Sequence, residues 1–339
     1  MKILFLSPRF YPDIGGVETH VYRVVKELIK RGNEVVIITE GREKSSEANI
    51  IRCNFGTSGK MKKFRIWKKL WTLRSQIERA DIIHCHDVFF WYLPFRFLYP
   101  SKPVVTTFHG YETVFPPERN AIRVRRMSKK LSSRTINIGE YIEKWYQTPA
   151  DSVLHGGIDT IQIQHSVDIR EHKNKTHHIL LLGRLENDIG VNVYCEALEI
   201  LEKKNIAFTF EVCGDGSLRE RLQRFGKVHG FVSDPLPYIE KADIVFASSY
   251  LSIIEALSRG KKVISVYTNP LKEDYLKMSS FAKWITITDS ATHIAAHIRN
   301  MHSLPTAHRY TLKKFLESMS WDHVVDIYEK LYEQAKPSR

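Results

Sequence analysis

The chain has 339 residues, 43% hydrophobic and 26% charged, an ordinary globular composition in a length that suggests two domains rather than one core. That composition excludes a disordered chain, and the longest apolar stretch, Val88 to Tyr99, is broken by Pro94 and Arg96 well short of the roughly 20 residues of a membrane span. A formal charge of +13 favours an anionic partner such as nucleotide phosphate, acidic lipid or nucleic acid, and four cysteines without Cys-x-x-Cys spacing fit a reducing, cytoplasmic compartment.

Met1 to Ser7 is too short an apolar run for a signal peptide, meeting Pro8 and Pro12 at once, so a soluble or peripheral protein is expected. Lys2 to Ser7 reads instead as a buried parallel strand. A loop follows, then a helix to about Lys30 whose apolar stripe is Val21, Val24, Val25 and Leu28, then a second strand from Glu34. Gly15 and Gly16 open the helix and let backbone approach a phosphate, although a plain tight turn explains them equally. No Gly-x-Gly-x-x-Gly occurs, which argues against an NAD enzyme.

Further strands are predicted at Asn49 to Cys53, Ile82 to His86 and Val104 to Phe108, the last delivering His109 and Gly110 to the carboxyl edge of the sheet. His84-Cys85-His86-Asp87 has the residue types of a metal site, but alternate strand residues share a face and a buried strand needs no ion, so none is expected. From Lys60 to Arg74, Met61, Phe64, Trp67, Leu70 and Trp71 recur at helical spacing among Lys60, Lys62, Lys63, Arg65 and Lys69. That stripe either packs on the sheet with its lysines solvated or lies on an anionic membrane surface. Arg134 to Gly139 is the last strand expected before the polar stretch Ile161 to Thr176.

The second half repeats the pattern, with strands from His178, Ala207, Lys227, Asp243, Lys262 and Trp284. Asp188-Ile-Gly-Val before its first helix echoes Asp13-Ile-Gly-Gly-Val. The expected division is 1–160, a linker at 161–176, a second domain at 177–319, and a final helix within 320–339. The most organised stretch is Ala247 to Val266, a strand, turn, helix and strand. Glu255 is expected in the first turn of that helix, either in a capping box with Ser252 or facing a ligand.

Glu255-Ala-Leu-x-x-Gly after a Ser-rich strand end resembles the nucleotide-sugar site of glycosyltransferase family 4. So, in order, do Gly15-Gly16, His109-Gly110, Gly183-Arg184-Leu185 and Gly214-Asp-Gly216, a resemblance covering nearly the whole chain. It implies an α/β GT-B fold, two Rossmann-like doubly wound domains facing each other across a cleft, with the final helix crossing back to the N-terminal domain. It implies a retaining, metal-independent transferase using a UDP- or GDP-sugar as substrate, without a cofactor, on a glycan or lipid-linked acceptor. Its site residues would be His109 and Arg184 for catalysis, with Gly15, Gly16, Gly183, Gly214, Gly216, Tyr250, Leu251, Ser252, Ile253 and Glu255 around the nucleotide sugar. Two positions depart from the family. The first of its two glutamates is Ala247 here, and the lysine it usually carries five residues after the arginine is Ile189. A catalytically silent nucleotide-sugar or glycan-binding protein of the same fold is therefore the alternative, while nucleic-acid binding rests on net charge alone and is not expected.

Overall fold

The computed structural model describes residues 1–13, 15–41, 49–59, 61–110, 114–159, 176–300 and 306–336. The expected linker, apart from Thr176, lies outside them. The chain forms two compact units, Met1–Leu154 with Trp321–Arg339, and His155–Ser320.

In the first unit, apolar runs become parallel strands because their side chains are buried on both faces. These are β1 (Lys2–Ser7), β2 (Glu34–Glu40), β3 (Ile50–Cys53), β4 (Ile82–His86), β5 (Val104–Phe108), β6 (Arg134–Ile138) and β7 (Ser152–Leu154), in the sheet order β3-β2-β1-β4-β5-β6-β7. Helix α1 (Gly16–Lys30) buries Val21, Val24, Val25 and Leu28, the stripe read from the sequence. Helix α2 (Lys62–Thr72) meets the core through Ile66 and, from the predicted stripe, Leu70 with Trp67 packed beside it, leaving Met61 60%, Phe64 48% and Trp71 50% exposed.

The terminal helix Trp321–Ala335 packs against α1, β5 and β6. Buried Tyr328 and Tyr332 bond His20 Nε2 at 2.9 Å and His84 Nδ1 at 2.6 Å. At its surface edge Arg31 reaches Asp322, Asp326 and Glu329.

The second unit has β8 (His177–Leu182), β9 (Phe208–Cys213), β10 (Lys227–Val228), β11 (Ile244–Phe246), β12 (Lys262–Val266) and β13 (Thr286–Thr288), all parallel, in the order β10-β9-β8-β11-β12-β13. Residues 155–159 belong here rather than with the first unit. Ile158 N donates to Met319 O at 2.9 Å, and Gly156 sits so close to Leu251 that a Cβ would lie 2.4 Å from its Cδ2. In both sheets the order reverses beside the first strand, between β1 and β4 and between β8 and β11. Such a switch point is where an open α/β sheet leaves a crevice at its carboxyl edge.

Four imidazoles, of His20, His84, His86 and His109, are buried together in the first unit. Burial holds His20 and His84 at about 3, the latter helped by His20. Burial and the neighbouring imidazoles push His86 and His109 well below the ordinary value of 6.5. All four are thus neutral in the fold and gain a proton on unfolding. Between about pH 3 and pH 6.5 the unfolded chain binds more protons, so stability rises with pH there, by up to about 1.4 kcal/mol per pH unit for each group. The melting temperature should therefore fall steeply from pH 6.5 to pH 5, and less steeply in His20→Phe. A wild-type melting temperature flat across that interval would mean the cluster is hydrated.

Candidate functional site

At the switch point of the second unit, β8 ends in Gly183, whose φ of +141° suits glycine, and Arg184 follows with its side chain 53% exposed. Arg184 Nη2 lies 2.9 Å from Asp188 Oδ2, so its cation is partly matched by a carboxylate one turn on. The turn Asn187–Ile189 tucks Ile189 into the core with Leu185, Val191 and Val266. The position where the family's lysine would stand is therefore an apolar core position. Gly190 (φ +82°) completes the turn, and a Cβ there would come within 2.3 Å of Val266 Cγ1. The echo of this loop in the first unit is only textual, since Gly15 is extended at φ 176°.

Strand β9 ends at the loop Gly214-Asp-Gly216. A Cβ on Gly214 would stand 1.8 Å from Gly183 O, and one on Gly216 would stand 2.6 Å from Leu185 O. Leu185 N donates to Asp215 O at 2.9 Å, while Glu186 accepts from Ser217 N and Ser217 Oγ at 3.0 and 2.6 Å. Gly183, Arg184, Gly214 and Gly216 are thus brought together, and the glycines are accounted for by two strand-end loops that interlock through their backbones.

Strand β11, neighbour of β8, runs into buried Ala247 and Ser248. Here two sequence expectations are corrected. The helix spans Tyr250–Ser258 with Ser249 at its N-cap and no side-chain cap bond. Ser252 is therefore already inside the helix, bonded to Ser249 Oγ at 2.8 Å, and Glu255 lies in the second turn, so no capping box forms. Helix entry moved forward because Ser249 is extended and its carbonyl already receives Ile253 N at 3.0 Å. Tyr250 N donates to Tyr275 OH at 2.9 Å, so the amides of Tyr250 and Ile253 have partners inside the protein. Glu255 is half-buried one turn further along, beside this loop.

At the switch point of the first unit, Gly15 and Gly16 begin α1. A Cβ on Gly15 would strike the Glu18 carboxylate at 2.2 Å, whereas a Cβ on Gly16 would meet nothing within 4 Å. Gly16 thus has open space before it. His109, 8% exposed, ends β5 with its ring 4.9 Å from that of His20 on α1. Its Nε2 is 2.8 Å from His86 Nδ1, and its backbone N–H points to the Asp87 carboxylate at 3.1 and 3.3 Å. Asp87 adopts φ +58°, a left-handed conformation that Asp tolerates better than most residues. Buried Arg125 lies over the Tyr146 ring, 4.2 Å from its centroid, and donates to Gly110 O. Asp87 and Arg125 thus fix the loop that carries His109. Asp87 was legible only as part of the metal-like string, and nothing in the sequence singles out Arg125. His84, whose two nitrogens bond Tyr332 OH and Thr107 Oγ1, and His86 belong to this hydrogen-bonded network.

The family profile described as Glycosyltransferase Family 4 matches residues 14–162, and that described as Glycosyl transferases group 1 matches residues 176–303. An uncharacterised glycosyltransferase of Methanocaldococcus jannaschii is 24% identical over 318 residues, covering 78% of this chain and 80% of its own length. Among solved structures, a glycosyltransferase from Rickettsia africae superposes with a TM-score of 0.74 at 18% identity, over 99% of both chains. The Anabaena HepE protein in complex with UDP and glucose superposes at 0.70 with 17% identity, over 98% of this chain and 100% of that one. The architecture is that of a GT-B glycosyltransferase. The chain belongs to the glycosyltransferases of family 4 and group 1, which between them take in both of its units.

The interlocked loops carry a prediction. Gly214→Ala places a methyl group against the Gly183 carbonyl, which is backbone and cannot swing away. The variant should lose on the order of 2 to 4 kcal/mol, as overpacking and a displaced ladder do together. Gly16→Ala, with open space before it, should cost under about 1 kcal/mol. Denaturant unfolding of the two variants checks both, and equal losses would refute the interlock.

Proposed function

We propose that the protein moves a sugar, with retention at the anomeric carbon, from a UDP- or GDP-sugar to a glycan or lipid-linked acceptor at a membrane surface. The observation that carries this reading is the switch-point assembly of the second unit, where Gly183-Arg184 and the Ser248–Glu255 segment leave adjacent strands. A departing nucleoside diphosphate gathers negative charge, and Arg184 offers a planar fork suited to phosphate oxygens. Glu255, in the helix that follows β11, would accept from the ribose hydroxyls. Gly16 and His109, at the switch point of the first unit, would serve the donor's sugar, His109 as a neutral hydrogen-bonding group rather than a charged acid. On this reading the nucleotide sugar is a substrate, and no metal or other cofactor takes part. That HepE was crystallised with UDP and glucose supports the class of donor.

A second reading, nucleotide-sugar binding without turnover, is favoured by Ile189 in the core and by Ala247 where the family carries its first glutamate. Release of UDP or GDP from a donor in the presence of acceptor extracts separates the two readings.

The acceptor side rests on α2. Not all of its cations are available. Lys62 pairs with Glu40 at 2.7 Å, and Arg65 donates to Phe55 O at 2.8 Å and to Thr57 O. Lys63, Lys68 and Lys69 remain exposed beside Met61, Phe64 and Trp71, a mixture of indole, phenyl and ammonium that suits the headgroup layer. Among the described residues no helix is long and apolar enough to cross a membrane, so attachment would be peripheral.

Two outcomes are expected. Glu255→Gln, which keeps the shape of the side chain, should weaken binding of a UDP- or GDP-sugar by roughly 1.5 to 3 kcal/mol. Unaltered affinity removes Glu255 from the site. The protein should also float with anionic but not neutral liposomes, and Lys63→Gln, Lys68→Gln and Lys69→Gln together should abolish this, at about 1 kcal/mol per cation. Retention of the wild type in the soluble fraction on anionic vesicles at low salt would rule out the membrane surface.

A further inference from the structure

The strongest unexplained charge in the second unit is Lys272. It occupies the first turn of the helix Pro270–Lys277, which Asn269 caps by accepting Lys272 N at 2.9 Å. Its side chain runs inward and the residue is 4% exposed. Nζ donates to Ser248 O at 2.6 Å and sits 3.8 Å from the centroid of the Tyr275 ring. Those contacts are a carbonyl and a ring face, not a carboxylate. Tyr275 in turn stacks on Tyr250 with centroids 4.0 Å apart, so the ammonium is held against the very loop that opens the Tyr250–Ser258 helix.

An ammonium buried against neutral partners is expensive, and a methionine would fill the same channel at lower cost. Burial and two charged groups set its electrostatics. Burial comes first and lowers its affinity for a proton, Asp188 raises it, and Arg184 lowers it, leaving a value of about 7. The last two are the pair at the end of β8, and Thr268, four residues before Lys272, reaches Asp188 O at 3.4 Å. The lysine therefore approaches from β12 the position that Arg184 approaches from β8, while the Ile189 side chain between them is committed to the core.

We infer that Lys272 supplies the second cation to the donor's diphosphate, in place of the one absent at position 189, an assignment that rests on the nucleotide-sugar reading above. An ammonium has three donors, and Ser248 O and the Tyr275 ring occupy two directions. A dianionic diphosphate beside Arg184 adds negative charge to that of Asp188, so donor binding and protonation of Lys272 favour each other. The sign follows from linkage. Below about pH 7 the lysine is already charged and binding takes up little proton. Above it the free protein holds a neutral amine, and binding draws a proton from solution until the bound form in turn titrates.

The test is calorimetric titration of the full chain with UDP-glucose and GDP-mannose, whose diphosphodiesters do not themselves titrate between pH 6 and pH 9. Two buffers of different ionisation enthalpy are used at each pH. The wild type should take up a growing fraction of a proton from pH 6 to pH 8 with whichever donor binds, its affinity falling across that range. Lys272→Met should bind at least tenfold more weakly at pH 7 and show no uptake. Lys272→Arg, charged throughout, should retain binding at pH 8.5 and also show no uptake. If Lys272→Met fails to fold, the arginine variant decides alone, since persistence of uptake in it overturns the assignment. Unchanged affinity and uptake in a folded Lys272→Met overturn it as well while leaving the nucleotide-sugar reading intact. If the wild type binds neither donor, that reading fails and this inference fails with it.

Discussion

Parallel strands buried on both faces have no place for a solvated side chain except at their ends, and that constraint arranges everything chemical in this chain. Strands β1, β4, β5, β8 and β11 are almost wholly enclosed. Arg184, Ser248, Asp87 and His109 appear where they stop. The sheet orders then select among strand ends, since only beside β1 and beside β8 do neighbouring connections leave in opposite directions. Gly183 and Gly214 complete the arrangement, because a side chain on Gly214 would force apart two loops that must touch. The location of the site is thus a consequence of topology. Its chemistry is a consequence of which residues stand at a handful of strand ends.

Charge is distributed more sparingly than a formal +13 suggests. Arg31 holds the terminal helix through three carboxylates, Arg125 braces the His109 loop, and Arg65 ties α2 to the preceding chain. Surface ion pairs such as those of Arg31 add little stability singly. Their effect here is to commit guanidinium groups to structural contacts, so direct contact with an anionic ligand or membrane is left to other cations. The buried histidines follow the same economy. Kept neutral, they act as hydrogen-bonding spacers between β4, β5 and the terminal helix, and they make the first unit sensitive to acid without giving it a charged catalyst.

Most of the strands were legible because a doubly covered strand is an unbroken apolar run, as in Ile82–His86 and Val104–Phe108. The segments that escaped show the limits of that signal. β7 has three residues, of which only Leu154 is buried, so no run exists to detect. β10, expected from Lys227, amounts to two residues and stops after Val228. The helix Pro270–Lys277 has a clear start in Asn269-Pro270, yet its apolar face amounts to Leu271 and Leu276 and a lysine is buried beside them. In α2 the buried face is centred on Ile66 and Leu70, so of the aromatic residues at helical spacing only Trp67 reaches the core while Phe64 and Trp71 stay exposed. For Glu255 the Ser-x-x-Glu spacing was real, but the cap position is fixed by backbone conformation, and Ser249 reaches it three residues earlier than Ser252.

Motif strings attach a function to a position, whereas the physics attaches it to a place in space. Ile189 and Ala247 look like losses when read along the chain. In the fold, Ile189 joins the apolar packing of β8 and β12, and Ala247 is enclosed at the end of β11, so neither position is an empty socket awaiting its usual side chain. Compensation therefore has to come from another element that ends at the same edge. The helix after β12 begins there, and the cation it carries was invisible to the sequence because Lys272 lies 83 positions from Ile189, in a segment with no recognisable pattern. What brings the two together is the parallel register of β8, β11 and β12, in which Leu181, Phe246 and Ile264 stand side by side.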